Sequence, residues 1–411
     1  MAMTKRAALA ALTLSMLLPS LSTSIASVAA PTLAVAFDAT FAEVQWVVLA
    51  FLVAVTALTV LAGHLGDTTG RRRLFLVGIA LFGVMSAACA AAPSLGALVA
   101  ARAGQGVGAA IMMALTAAFV SEAVPRERIG TAMGLLGTVS AVGTAMGPPL
   151  GGALIAAFGW QAIFLVAVPL SAVAFTLAVR HLPDPPKAPR ARLSAAVLRD
   201  RTRAANLLLS AIVTTVLMST LVVGPFYLTG GLGLDTAVVG AVMAAGPLVA
   251  ALGGLPAGRV VDWLGTRRTT LLGLGGMAAG CLALATLPAS LGIPGYVIPV
   301  VVITGSFAQF QAANSTEVVA GAPATSRGAV SGMLALSRQV GLILGTSAMG
   351  WVFTAAAGTA DVTGATPGDV ATALRTTFVV GAALIACAIG VAITTRRSVS
   401  SRMGETVPTR V

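Results

Sequence analysis

Twelve apolar stretches, near residues 8–30, 44–64, 74–92, 95–120, 130–157, 161–179, 204–229, 235–257, 269–289, 295–318, 328–356 and 372–394, take up most of this chain. Each is long enough to cross the ~30 Å hydrocarbon core of a bilayer as a helix rising about 1.5 Å per residue. Inside lipid every backbone N–H and C=O needs a partner in its own segment, so runs of this length are read as helices. Composition agrees, at 57% hydrophobic and 9% charged residues with a mean hydropathy of +0.96. A set of soluble domains is thereby excluded, because 411 residues cannot bury so much apolar surface in water. The 46 glycines, a liability in soluble helices, suit close packing in membrane helices.

A short polar pattern occurs twice, 195 residues apart. The first copy runs from Gly63 through Asp67 and Gly70 to Arg71, Arg72 and Arg73; the second runs from Gly258 through Asp262 and Gly265 to Arg267 and Arg268. In both, one glycine stands four residues before the aspartate and another three residues after it. Each copy joins two apolar stretches, so two homologous halves carry the same tight turn in equivalent places, an arrangement expected of a transporter. Two stretches precede the turn in the second half. Symmetry therefore keeps the segment from Lys5 to Pro31 as a first span, although its basic start and small residues at Ala29 and Ala30 also fit a signal peptide.

The net charge of +12 and pI near 11.3 raise the question of nucleic acid, which the placement of charge answers. With the amino terminus inside, all but three of the 25 Lys and Arg fall in cytoplasmic segments; Arg375 lies outside, and Arg102 and Arg338 lie within spans. This bias predicts a multi-pass protein of a bacterial cytoplasmic membrane with both termini cytoplasmic, and it explains the basic pI without nucleic acid.

The expected organisation is an N-terminal six-helix bundle over 1–180, a cytoplasmic linker over 181–203, a C-terminal six-helix bundle over 204–394 and a cytoplasmic tail over 395–411. The linker carries Pro183, Pro185, Pro186 and Pro189, with a short helical piece expected within Leu193 to Arg203. The fold class is an all-α membrane protein, twelve transmembrane helices in two pseudo-symmetric bundles. Cys89, Cys281 and Cys387 read as small apolar fillers. With only His64 and His181 present and no phosphate-binding loop, neither a metal site nor a cofactor is expected, and an enzyme is disfavoured. No segment reads as a signalling domain.

Three further patterns carry chemistry. Arg102 stands seven residues into the 95–120 span and is followed by Gln105, Gly106 and Gly108; a buried arginine costs about 2.5–3.5 kcal/mol on insertion scales, so it is expected to face a cavity or a partner. The next span holds Gly143, Gly147, Pro148, Pro149, Gly151 and Gly152, where glycines four apart make a smooth groove and the prolines interrupt the hydrogen-bond ladder. Gln309, Gln311, Asn314 and Glu317 mark the tenth span and Arg338 the eleventh, near mid-membrane depth.

On these residues the chain resembles the major facilitator superfamily over essentially its whole length, and within it the drug:proton antiporter branch. The resemblance implies that Gly63, Asp67, Gly70, Arg71 and Arg72 form a gating turn that braces the cytoplasmic ends of the halves; Thr68 departs from the basic residue usual there. In this turn Gly63 and Gly70 are expected to allow close backbone approach, and Asp67 to stand near the start of the third spanning helix, where the helix dipole favours negative charge. Gly258, Asp262, Gly265 and Arg267 form the loop in the equivalent place of the second half. Arg102 and Gln105 match a second signature, and Gly143, Gly147, Pro148, Gly151 and Gly152 match the array that the family reserves largely for exporters working as antiporters. Ser22 and Ser24 lie in a segment similar to a first-helix signature, with Ser22 and Ser27 in place of its aspartate and asparagine.

The function expected is secondary active export of a small amphipathic compound by alternating access and proton antiport, the proton gradient being the driving force. Ser22, Ser24, Arg102, Gln105, Gln311, Asn314 and Arg338 are the candidate cavity residues; Glu317 is the candidate proton carrier, with a gate partnership to a basic loop residue such as Arg327 as the other reading of its place near the cytoplasmic mouth. The fixed arginines also favour an alternative, a facilitator or exporter of an anionic or zwitterionic metabolite without proton coupling. The partners expected are the substrate and the bilayer, with the protein a monomer.

Overall fold

The computed structural model describes residues 2–123, 129–182, 201–287, 289–320, 327–359, 362 and 364–404, almost all of them helical. The first half comprises α1 (Ala2–Val28), the short α2 (Ala30–Ala36), α3 (Phe41–Thr69), α4 (Arg71–Ala90), α5 (Leu95–Ala123), α6 (Ile129–Phe158), α7 (Ala162–Leu165) and α8 (Ala167–His181). The second comprises α9 (Arg201–Phe226), a π-helical turn at Tyr227–Gly231, α10 (Thr236–Met243), α11 (Ala245–Thr286), α12 (Gly292–Ala320), α13 (Arg327–Ala357) and α14 (Pro367–Gly404). Eleven helical stretches among the described residues are long and apolar enough to cross a membrane, and the remaining expected span is represented by the shorter Val142–Phe158 within α6. Most of the linker lies outside the described residues, including the expected helical piece up to Asp200; from Arg201 the chain is already α9.

The halves repeat one packing scheme. In the first, α1 lies along α6, and α5 lies against both α3 and α4; in the second, α9 lies along α13, and α12 packs on α11. The seam between first and fifth helix is made of small residues in both halves. A methyl group on Gly143 would reach the Leu17 carbonyl at 2.8 Å, and one on Gly345 would reach the Thr215 carbonyl at 2.6 Å. Pro148 and Pro149 lie inside α6 without ending it.

The duplicated turn is tighter than expected. Helix α3 runs on to Thr69 and α4 starts at Arg71, so Gly70 alone makes the corner, with φ 98° and ψ 117°. Within α11 only Gly265 leaves the helical region, with φ 76° and ψ 161°. These left-handed values strain any residue with a Cβ, which is why the last glycine of each copy is required. The expectation of close approach at Gly63 and Gly70 is corrected: an added Cβ meets nothing within 4 Å at either, nor at Gly258, so Gly70 is needed for its backbone angles and not for contact. The close approach is at Gly66, whose Cβ would strike Leu115 at 2.6 Å.

Cys89 and Cys281 are buried as expected of fillers, but Cys387 is exposed on α14.

Candidate functional site

Arg102 is fully buried, against the expectation that it faces a cavity. Its Nε donates to the Val47 carbonyl (2.8 Å), Nη1 to Ser22 Oγ (2.8 Å) and Gln105 Oε1 (2.5 Å), and Nη2 to the Ser22 carbonyl (3.4 Å). The guanidinium also lies over the Phe51 ring, 4.4 Å from its centroid. Gln105 Nε2 donates onward to Ser86 Oγ (2.7 Å), whose own proton goes to the Phe82 carbonyl (2.7 Å). Four helices, α1, α3, α4 and α5, are thus tied through Arg102 and Gln105 together. The i, i+3 spacing of Arg102 and Gln105 puts both on one face of α5, so each orients the other. Ser24 is likewise no cavity residue, because its Oγ donates back to the Ser20 and Leu21 carbonyls and it backs onto Gly147.

On α6 the glycine array serves two neighbours. Gly143, Gly147 and Gly151 face α1 at Leu17, Ser24 and Ile25, whereas Gly152 faces the other half: a methyl there would come 2.8 Å from the Thr236 carbonyl and 2.9 Å from Cα of Gly240. Near it, α3 meets α13 and α9. Phe41 has ring contacts to Phe226 (4.5 Å) and Phe353 (5.5 Å), and Gly350 lies directly against the Gln45 amide. A capping box between Thr40 and Glu43 fixes the start of α3 and so the aim of Phe41 and Gln45. These contacts all sit at the end of the bundle remote from the linker, called here the far end. Just beneath them a small pocket is lined from both halves by Ser27, Gln45, Val48, Val222 and Thr346.

Deeper in the second half, Asn314 is buried and donates from Nδ2 to the Asn206 carbonyl (3.3 Å), an interhelical tie between α12 and α9. Gln311 on the same face is half-buried, and its Oε1 has no partner among the described residues. Arg338 is half-buried on α13 and makes no hydrogen bond or ion pair with the described residues. By helical position it lies between the face carrying Gly341 and Gly345, which meets α9, and the face carrying Thr346 and Gly350, which meets the first half. Glu317 is half-buried one turn before the end of α12.

The turn residues do not join these groups. Asp67 lies in the last turn of α3, not at the start of the following helix, so the favourable helix-dipole placement expected for it is withdrawn; its side chain is outside the described residues. Arg71 and Arg72 open α4, and Arg72 Nη2 donates to the Val179 carbonyl within its own half. Asp262 and Arg267 flank Gly265, both exposed. Sequence reasoning missed Phe41, Gln45, Phe226, Gly240 and Gly350. A single aromatic or amide in an apolar run carries no periodic signal, and Gly350 lies on the opposite face of α13 from the Gly341 and Gly345 pair.

Residues 12–346 match the sequence profile of the Major Facilitator Superfamily. The riboflavin transporter RibZ of Clostridioides difficile (strain 630) is 38% identical over 162 residues, 39% of this chain, which thus spans only 36% of RibZ. The multidrug efflux pump LfrA of Mycolicibacterium smegmatis is 28% identical over 409 residues, covering 85% of this chain and 81% of LfrA. In fold, the chain is similar to a bacterial homologue of the human lysosomal transporter Spinster, solved in an inward-facing and unoccupied conformation: TM-score 0.78 at 17% identity, over 96% of this chain and 97% of that one.

Proposed function

The chain belongs to the Major Facilitator Superfamily, and from that premise we propose that it exports small amphipathic compounds across a bacterial cytoplasmic membrane by alternating access, in exchange for protons. The observation that carries this reading is the double use of the α6 array: Gly143, Gly147 and Gly151 bind α6 to its own half, while Gly152 meets Gly240 of the other. Within the stretch that resembles the exporter signature, Pro148 and Gly152 are therefore a place where the halves touch and would part. With the linker cytoplasmic, the far end faces outward. The small pocket between Ser27, Gln45 and Thr346 is then the outer limit of a path entered from the cytoplasm.

Proton return through about 100 mV supplies about 2.3 kcal/mol, enough for a roughly fiftyfold gradient of a neutral substrate at about 1.36 kcal/mol per tenfold. Glu317 is the carboxylate proposed to carry the proton. The test is efflux across a compound panel in a host stripped of its own pumps, then in proteoliposomes under an imposed pH gradient, comparing the wild type with Glu317→Gln. Expected are lower accumulation of at least one compound and gradient-driven transport that Glu317→Gln abolishes. Unchanged accumulation of every compound refutes export, and an equally driven mutant removes Glu317 as carrier.

One observation favours the alternative substrate class. With Arg102 enclosed, Arg338 is the fixed cation left near mid-depth without a partner among the described residues. Its charge suits an anionic or zwitterionic compound, moved with or without a proton.

A further inference from the structure

Within the second half, between the π-helical turn after α9 and helices α11, α12 and α14, lies a pocket separate from the one lined by Ser27, Gln45 and Thr346. It is lined by Tyr227 and Arg375 together with Leu284, Leu287 and Leu374. Tyr227 opens the π-helical turn, in which the Leu232 N–H donates to the Tyr227 carbonyl five residues back (3.0 Å). Its ring is held over Gly231, where a methyl group would come within 2.9 Å of ring carbon Cδ2, and it sits 6.0 Å from the ring of Tyr296. The hydroxyl of Tyr296 is spent on the Thr220 carbonyl (3.1 Å). That of Tyr227 has no partner among the described residues, although the residue is only 6% exposed. The ring is packed away while the residue lines the pocket, which leaves the hydroxyl open to a guest there.

Arg375 supplies the second unspent donor. It is half-buried on α14 and makes no ion pair or hydrogen bond with the described residues. The acid earlier on its own helix, Asp369, is occupied at the helix start by the Thr366 hydroxyl (2.6 Å). In the charge pattern of the chain Arg375 is also the exception, the basic residue on the side where a topology signal is not needed. A guanidinium and a phenol converging in a pocket without a carboxylate lining it recognise an anion, and the leucine walls add a preference for one with an apolar flank. Arg375 is the ninth residue of α14, about 12 Å below its start at ~1.5 Å per residue, the depth at which arginines reach from acyl chains to head groups. Leu291 and Ile298, on the surface beside the pocket, are exposed and apolar.

We propose that Tyr227 and Arg375 form a binding site for a phosphate monoanion, the phosphodiester of an anionic phospholipid or a free phosphate, at the far end of the second half. The test is native mass spectrometry of the full-length protein in detergent, titrated with phosphatidylglycerol, with diacylglycerol as the phosphate-free control and inorganic phosphate as competitor. One phosphatidylglycerol should bind well above the rest. Its affinity should fall about tenfold or more in Arg375→Gln and about threefold in Tyr227→Phe, which keeps the ring packing and guards against a folding defect in the first variant. Competition by millimolar inorganic phosphate supports a site open to soluble phosphate, and its absence supports the lipid head group. Equal phosphatidylglycerol affinity in the wild type and both variants, or equally tight diacylglycerol, overturns the site.

Discussion

Gly240 on α10 lies so close to Pro148 on α6 that a methyl group on the glycine would stand 2.5 Å from the proline carbonyl oxygen and 2.8 Å from Cα of Gly152. Backbone meets backbone across the two halves, with no side chain between them. Overpacking such a contact costs about 1–3 kcal/mol, which disfavours the closed far end by roughly five- to 150-fold. Gly240→Val is therefore expected to fold, to reach the membrane and to lose at least fivefold in transport. A cysteine placed near the far-end pocket in that background should label faster from outside. Normal transport and unchanged labelling would show that the halves do not close here.

Gly147 differs, because its neighbour is Ser24 in the same half. Gly147→Val should cut the yield of folded protein and lower its melting temperature, whereas Gly240→Val should leave it nearly unchanged. If both variants melt alike, the division of the α6 glycines between intra-half and inter-half contacts is wrong.

Arg102 and Arg338 should behave as opposites. Arg102→Ala orphans Gln105 and Ser22 in a closed cluster and is expected to cost about 2–5 kcal/mol of stability, with transport per folded molecule within a few-fold of normal. Arg338→Ala should leave the melting temperature unchanged and weaken substrate affinity, most for anionic compounds. An Arg102→Ala protein that is fully stable yet inactive would return that residue to the transport path.

The duplicated turn separates a conformational glycine from a dispensable one. Gly70→Ala, at φ 98°, should cost about 1–2 kcal/mol, while Gly63→Ala, with open space around it, should stay within about 0.5 kcal/mol. Asp67→Asn is expected to slow turnover with substrate affinity within a few-fold. A Gly63→Ala protein as unstable as Gly70→Ala would contradict the geometry, and normal turnover in Asp67→Asn would leave the aspartate without a gating role.

Orientation underlies every assignment of an outer side. In a cysteine-free background Thr359→Cys should react with an impermeant thiol reagent from outside and Ala195→Cys should not. The reverse pattern inverts the assignment.

What could be read from the residues was whatever repeats or demands a special backbone. The two copies of the turn announced their glycine corners, since a residue held at positive φ is nearly always glycine, and the α6 stripe announced a close neighbour. The identity of that neighbour was hidden: nothing local to Gly147 and Gly152, five residues apart, says that one meets Ser24 and the other Gly240. Arg102 misled for a related reason. Its cost in lipid was legible, but the carbonyls of Ser22 and Val47 that satisfy it come from two other helices, and any apolar segment offers such groups. Asp67 was placed in the wrong helix because a turn of a single residue leaves no polar run long enough to mark its boundary.

Those one-residue corners have a mechanical consequence. With only Gly70 between α3 and α4, and only Gly265 between the two parts of α11, neither hairpin has slack in which to absorb a displacement, so each half is driven toward moving as one stiff lever. A helix of thirty residues is about 45 Å long, and tilting it by roughly 10° about its midpoint carries each tip some 4 Å. Such a swing exceeds the 2.5 Å that would separate a methyl on Gly240 from the Pro148 carbonyl oxygen. A rotation too small to rearrange either bundle internally is thus enough to unseal one mouth of the protein while it seals the other.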